Sequence, residues 1–96
     1  MHSGPDGAGQ IDSAKVEEIV LSLTAERLGR PVEQVDSSAS LIDLGLSSID
    51  AVLLCGEIEE RLLVAVDPIS VFECESLSDF IAIIRDAVAT RQADIG

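Results

Sequence analysis

Three separated runs of apolar residues recur at intervals of three and four positions, the spacing of one helix face and not of a strand. The first is Val16, Ile19, Val20, Leu23 and the Arg27–Leu28 pair. The second is Ala51, Leu54, Cys55, Ile58 and Leu62. The third is Leu77, Phe80, Ile81, Ile84 and Val88. A chain of 96 residues has room for one small domain, so three such stripes must be buried against one another. The 47% hydrophobic content is ample for that core, although a chain this short has little stability to spare. There is no internal repeat and no low-complexity block.

Capping and breaking residues set the helix ends. Asp12 or Ser13 caps the first helix, predicted over 13–28, and Glu17 and Glu18 sit near its positive end. Gly29 stops it and Pro31 prevents its resumption. Pro31 to Ser47 is then a long connection carrying Val32, Val35, Leu41, Ile42, Leu44 and Leu46. Those side chains need cover, which predicts a loop pinned to the bundle. The stretch from Asp36 to Ser47 is not an EF-hand loop, because Leu41 stands where the calcium loop requires glycine. A second helix is predicted from Ser47 or Ser48 to about Leu63, followed by a β-prone connector from Val64 to Pro68. Pro68 opens a short third helix through Val71 and Phe72. Ser76 and Asp79 form a capping box for the last helix, which fades after Ala89. The expected organisation is a flexible leader over 1–10, a domain over 11–89 and a polar tail over 90–96.

The net charge is −12, and between Glu33 and Asp79 there are eleven acidic residues against one basic residue, Arg61. Such a surface repels phosphate backbones. With Phe72 and Phe80 as its only aromatics, the chain also lacks stacking platforms for bases. Nucleic acid is excluded as a partner; a basic protein surface suits the charge, and so does a solvated acidic face with no partner. Cys55 and Cys74 make neither a disulfide framework nor a metal site, and no apolar run is long enough to span a bilayer. These features predict a cytoplasmic, monomeric protein without a membrane attachment. The only histidine, His2, lies in the leader, so histidine-based catalysis is not available.

At 100° per residue the second helix carries more apolar surface than its core face needs. Ile49, Val52, Leu53 and Gly56 form a second sector, with Glu60 beside them. Either the long loop covers it, or it is an exposed patch rimmed by acids, as partner sites are. It begins next to Ser48. A serine at a helix start is ordinarily a cap. As a nucleophile it would need a base, and none is in sight; a Gly-x-Ser-x-Gly elbow is absent too. Chemistry at Ser48 therefore requires another enzyme. The positive helix end favours a phosphate on that oxygen.

The stretch Asp43-Leu44-Gly45-Leu46-Ser47-Ser48-Ile49 resembles the phosphopantetheine-attachment motif of acyl and peptidyl carrier proteins, written D-x-G-x-D-S-L. The resemblance extends from about Ile11 to Val88. It takes in the first helix, the long loop, the acidic run Glu57, Glu59, Glu60, the Val-Asp-Pro connector and the short third helix. It implies an all-α four-helix carrier bundle with three main helices and a short third one. It also implies a 4′-phosphopantetheine arm on Ser48, transferred from coenzyme A by a Mg²⁺-dependent phosphopantetheinyl transferase and ending in a thiol that holds cargo as a thioester. The carrier itself would have no catalysis. Its partners would be that transferase and the acyl-loading, condensing and tailoring enzymes of a biosynthetic pathway. They would read Leu46, Ser47, Ile49, Val52, Leu53, Gly56 and Glu60. Two departures matter. Ser47 replaces the usual acid before the modified serine and places a second hydroxyl beside it. Leu53 stands where fatty-acid carriers often have an acid. Both shift the docking site from charged toward apolar and point to a specialised biosynthetic carrier; the strong acidity around the second helix makes polyketide-type acyl carriage the first choice, with peptidyl or aminoacyl carriage in nonribosomal peptide synthesis as the alternative. An unmodified helical scaffold is the alternative of another class.

Overall fold

The computed structural model describes residues 12–95, with side chains as far as Arg91. Among them are five α-helices and one 3₁₀ turn, and no strand: α1 (Ser13–Leu28), the turn (Val32–Gln34), α2 (Leu41–Leu44), α3 (Ser48–Leu62), α4 (Ile69–Glu73) and α5 (Leu77–Ile95). The expected leader over 1–10, with His2, and the boundary residue Ile11 lie outside the described residues.

Local chemistry explains the helix ends. Asp12 caps α1, its side chain accepting the Lys15 N–H at 2.9 Å. Gly29 closes it in the left-handed region at φ 69°, where a side chain would be strained, and the Arg30 N–H reaches back to Ala25 O at 3.1 Å. The three apolar stripes meet as predicted: Val16, Val20 and Leu23 of α1, the Ala51–Leu62 stripe of α3, and Leu77, Phe80, Ile81, Ile84 and Val88 of α5 are all buried. Thr24, buried among them, donates its hydroxyl to Val20 O at 2.7 Å, so no orphan polar group is left there. Helix α1 packs on both α3 and α5, and ion pairs tie it to each: Arg27 to Glu57 at 3.2 Å and Glu17 to Arg85 at 2.7 Å.

The long connection is indeed pinned. Leu41, Leu44 and Leu46 are buried, and Ser37 and Ala39 accept the Ser78 and Leu77 N–H groups at 2.9 and 2.8 Å, satisfying the first turn of α5. Val32 and Ile42, expected under cover, are instead exposed. The loop also contains α2, a helical turn that four residues of sequence could not signal. Ser76 Oγ accepts the Asp79 N–H at 3.1 Å, one bond of the predicted capping box.

One further end differs from expectation. Helix α5 does not fade after Ala89 but continues to Ile95. The apolar stripe stops there, yet no glycine or proline intervenes before Gly96, and adding residues to a formed helix is inexpensive. Residues 90–95 are thus helical. Helix α3 ends on Leu63 in the left-handed region (φ 58°, ψ 44°), its N–H on Glu59 O at 2.8 Å. The connector that follows forms no strand among the described residues; the Val66 N–H is taken by Glu59 Oε2 at 2.7 Å.

Candidate functional site

The junction between α2 and α3 consists of two caps laid end to end. Ser40 opens α2 by accepting the Asp43 N–H at 3.0 Å. Gly45 closes it at φ 107°, a value that an L side chain rarely adopts; the Gly45 and Leu46 N–H groups return to Ile42 O and Leu41 O at 2.9 and 3.1 Å. Ser47 opens α3 with a complete capping box. Its Oγ accepts the Asp50 N–H at 3.1 Å, while Asp50 Oδ2 accepts the Ser47 N–H at 3.3 Å and its hydroxyl at 3.0 Å. Only Leu46 separates the two caps, and its side chain is buried at 4% exposure.

Ser48 is the first residue inside α3 and is exposed. The neighbouring serines therefore differ in kind. The Ser47 hydroxyl both donates and accepts within the capping box. The Ser48 hydroxyl has no hydrogen-bond partner among the described residues, and it stands at the positive end of a helix of 15 residues. The sequence allowed either serine to be the cap; the backbone assigns that role to Ser47.

The second sector of α3 is not covered by the loop. Ile49 is 73%, Val52 54% and Leu53 46% exposed, and Gly56 and Glu60 are exposed beside them. Leu46 departs from the expectation that it is read at the surface: it faces the core, because the chain must turn inward between two caps on the outside of the bundle. Sequence reasoning missed Arg27. It comes from α1, thirty positions away from Glu57, and its Nε and Nη2 donate to the Glu57 carboxylate at 3.4 and 3.2 Å. That hydrogen bond raises the Arg27 guanidinium above its already high ordinary value. Arg27 therefore lines one shallow groove with Val52, Leu53, Gly56, Glu57 and Glu60. No helix among the described residues is long and apolar enough to cross a membrane.

Comparison with known proteins agrees with this architecture. The family described as "Phosphopantetheine attachment site" matches residues 18–84, which run from within α1 into the first half of α5 and include the junction. The fold is similar to the NMR structure of the HMG-ACPI domain from the CurA module of Lyngbya majuscula. The TM-score is 0.74 over 96% of this chain and 92% of that one, at 17% identity, a level that speaks for the fold alone. No curated protein shows a significant match. The family match covers well over half of the chain and the helices fall where that fold has them, so the protein belongs to the phosphopantetheine-attachment family of carrier domains, which bear a covalently attached 4′-phosphopantetheine.

Proposed function

We propose that Ser48 is the residue that takes the arm, and that the protein is an acyl carrier of polyketide-type or other specialised biosynthesis without catalysis of its own. The observation that carries this is the division of labour between the two serines: one hydroxyl is consumed by the cap and the other is exposed and unengaged. The residues fit the group. Ser48 offers an exposed oxygen, and the free N–H groups of the first turn of α3 favour a phosphate joined to it. When attached, phosphopantetheine supplies a terminal thiol for thioester-bound cargo. The chain's own contribution is positional. Gly45 reverses the backbone, the buried Leu46 anchors the junction to the core, and the Ser47–Asp50 box keeps the helix start from fraying.

Partner enzymes dock, in this reading, on Ile49, Val52, Leu53, Gly56 and Glu60, the exposed sector that runs away from Ser48. Its apolar character at Leu53 and the absence of a charge at Ser47 support specialised partners over housekeeping ones. A cytoplasmic setting suits the two free cysteines.

The test is direct. Incubation with coenzyme A and a broad phosphopantetheinyl transferase is expected to add the mass of one phosphopantetheinyl group. Ser48→Ala is expected to abolish the gain and Ser47→Ala to retain it. A gain lost in Ser47→Ala but kept in Ser48→Ala would move the site by one residue. No gain with any transferase would favour an unmodified scaffold.

A further inference from the structure

Four residues of α5 recur at every fourth position and so stand in one row on the helix surface: Asp79, Ile83, Ala87 and Arg91. Arg85, which pairs with Glu17 of α1, lies on the opposite side of α5, about 180° round from the middle of the row. The row therefore faces away from α1. Asp79 is exposed, and Ile83 is 45% exposed although it is a large apolar residue. Neither Asp79 nor Arg91 enters an ion pair among the described residues. Ala87 and Arg91 also line a shallow, mainly apolar groove of about 380 Å³, together with Thr90 and with Leu63, Val64 and Ala65 from the end of α3 and its connector.

In chain order the row reads acid, large apolar, small apolar, base. Read backwards it is base, small apolar, large apolar, acid, which complements the forward order at every position. A second copy of α5 laid antiparallel thus places Ile83 of each copy over Ala87 of the other, in the groove, and Asp79 of each against Arg91 of the other. A two-fold interface requires that property, because one patch must fit itself. Rows of this spacing on two helices interdigitate at a crossing of about −50°, which brings the rows parallel.

We propose that α5 pairs antiparallel with α5 of a second copy along this row, giving a weak symmetric dimer. The net charge of −12 on each copy opposes the approach, so the two matched ion pairs and the seated Ile83 side chains set the register. One helix pair is at the small end of specific interfaces, and a Kd of roughly 0.05–1 mM is expected. Ser48 is about 22 Å from Leu63 along the axis of α3, so the pairing leaves the serines of both copies open. It does not depend on which serine is modified.

Forward X-ray scattering of the full chain over roughly 0.02–2 mM, at about 0.15 M salt to screen the net repulsion, reads the mean mass. That mass is expected to rise from the monomer's toward twice its value. Ile83→Asn and Arg91→Asp are each expected to raise Kd about tenfold or more, with thermal melts showing that both variants are folded. Asp79→Arg is expected to do the same. Combining Asp79→Arg with Arg91→Asp exchanges the charges at both ends and is expected to bring Kd back to within about threefold of wild type. A monomeric mass at every concentration would overturn the proposal. So would wild-type association in folded Ile83→Asn, or a charge-exchanged double variant that associates no better than Arg91→Asp alone.

Discussion

Ser47 and Ser48 have the same side chain one position apart, and the helix start separates their fates. The Ncap position turns a hydroxyl back onto the backbone, whereas the next position points it outward. Ser47→Ala loses the hydroxyl half of the capping box, leaving Asp50 only the backbone N–H of residue 47, and should cost about 1 kcal/mol, a drop of roughly 4–8 °C in the thermal midpoint of a domain this size. Ser48→Ala should leave the midpoint nearly unchanged while abolishing loading; melts and mass spectra on the same two proteins check the contrast. Cys55 gives a second prediction. Burial, and then the nearby Glu59 and Asp67, push its thiol up to about 11 from an ordinary 9.0. Burial also raises Cys74, with Asp79 and Glu73 adding to it. At pH 8 Cys55 is therefore a neutral thiol behind closed packing, and iodoacetamide should leave it unlabelled until the domain unfolds. The sign for stability follows: an acid whose folded value exceeds its unfolded one supports the fold below the unfolded value. That support is lost as pH rises from 9.0 through about 11. The thermal midpoint should fall over that interval, which circular dichroism at stepped pH would record.

Among the elements, the α2–α3 junction and the end of α3 carry the information that spacing could not. Leu46 matches a motif position that partners were expected to read, yet its side chain is in the core. Leu46→Ala should destabilise by about 2–4 kcal/mol, as a buried leucine does when cut back; a surface position would cost far less, so a denaturant midpoint decides between the two. Leu63 is the reverse case. Its side chain is 62% exposed while its backbone is left-handed, an arrangement costly for a residue other than glycine. Leu63→Gly should relieve that strain and stabilise the domain by about 1 kcal/mol, seen as a raised thermal midpoint. Helix positions, stripes and most caps were legible because they depend on residues four apart or fewer. The α2 turn and the left-handed Leu63 were not, because each is imposed by packing at both ends of a short segment.

For the whole molecule, charge and shape act together. Arg27 and Arg85 are engaged in pairs that bind α1 to α3 and α5, so two of the basic residues serve the helix seams. Both pairs are partly exposed, so each contributes modestly to stability. Their larger consequence is that the outer face of α3 keeps its negative field. Encounter with a basic partner should weaken as salt screens that field: transferase KM for the carrier should rise from about 0.05 M to about 0.5 M salt while kcat holds, measured by initial rates. An unchanged KM would mean that docking is carried by apolar contact alone.

The sequence by itself determined the number of main helices, the residues of their shared core, the acidity of the molecule and the motif around Ser48. The first three follow from composition and from periodicity within a few residues of chain, the last from the resemblance of Asp43–Ile49 to the carrier-protein motif. Tertiary structure decided which of two serines is the cap, that Leu46 turns inward, that the second sector of α3 stays uncovered and that Arg27 completes a groove with it. Each of those depends on segments distant in sequence competing for the same space, and that competition is resolved only when the helices pack.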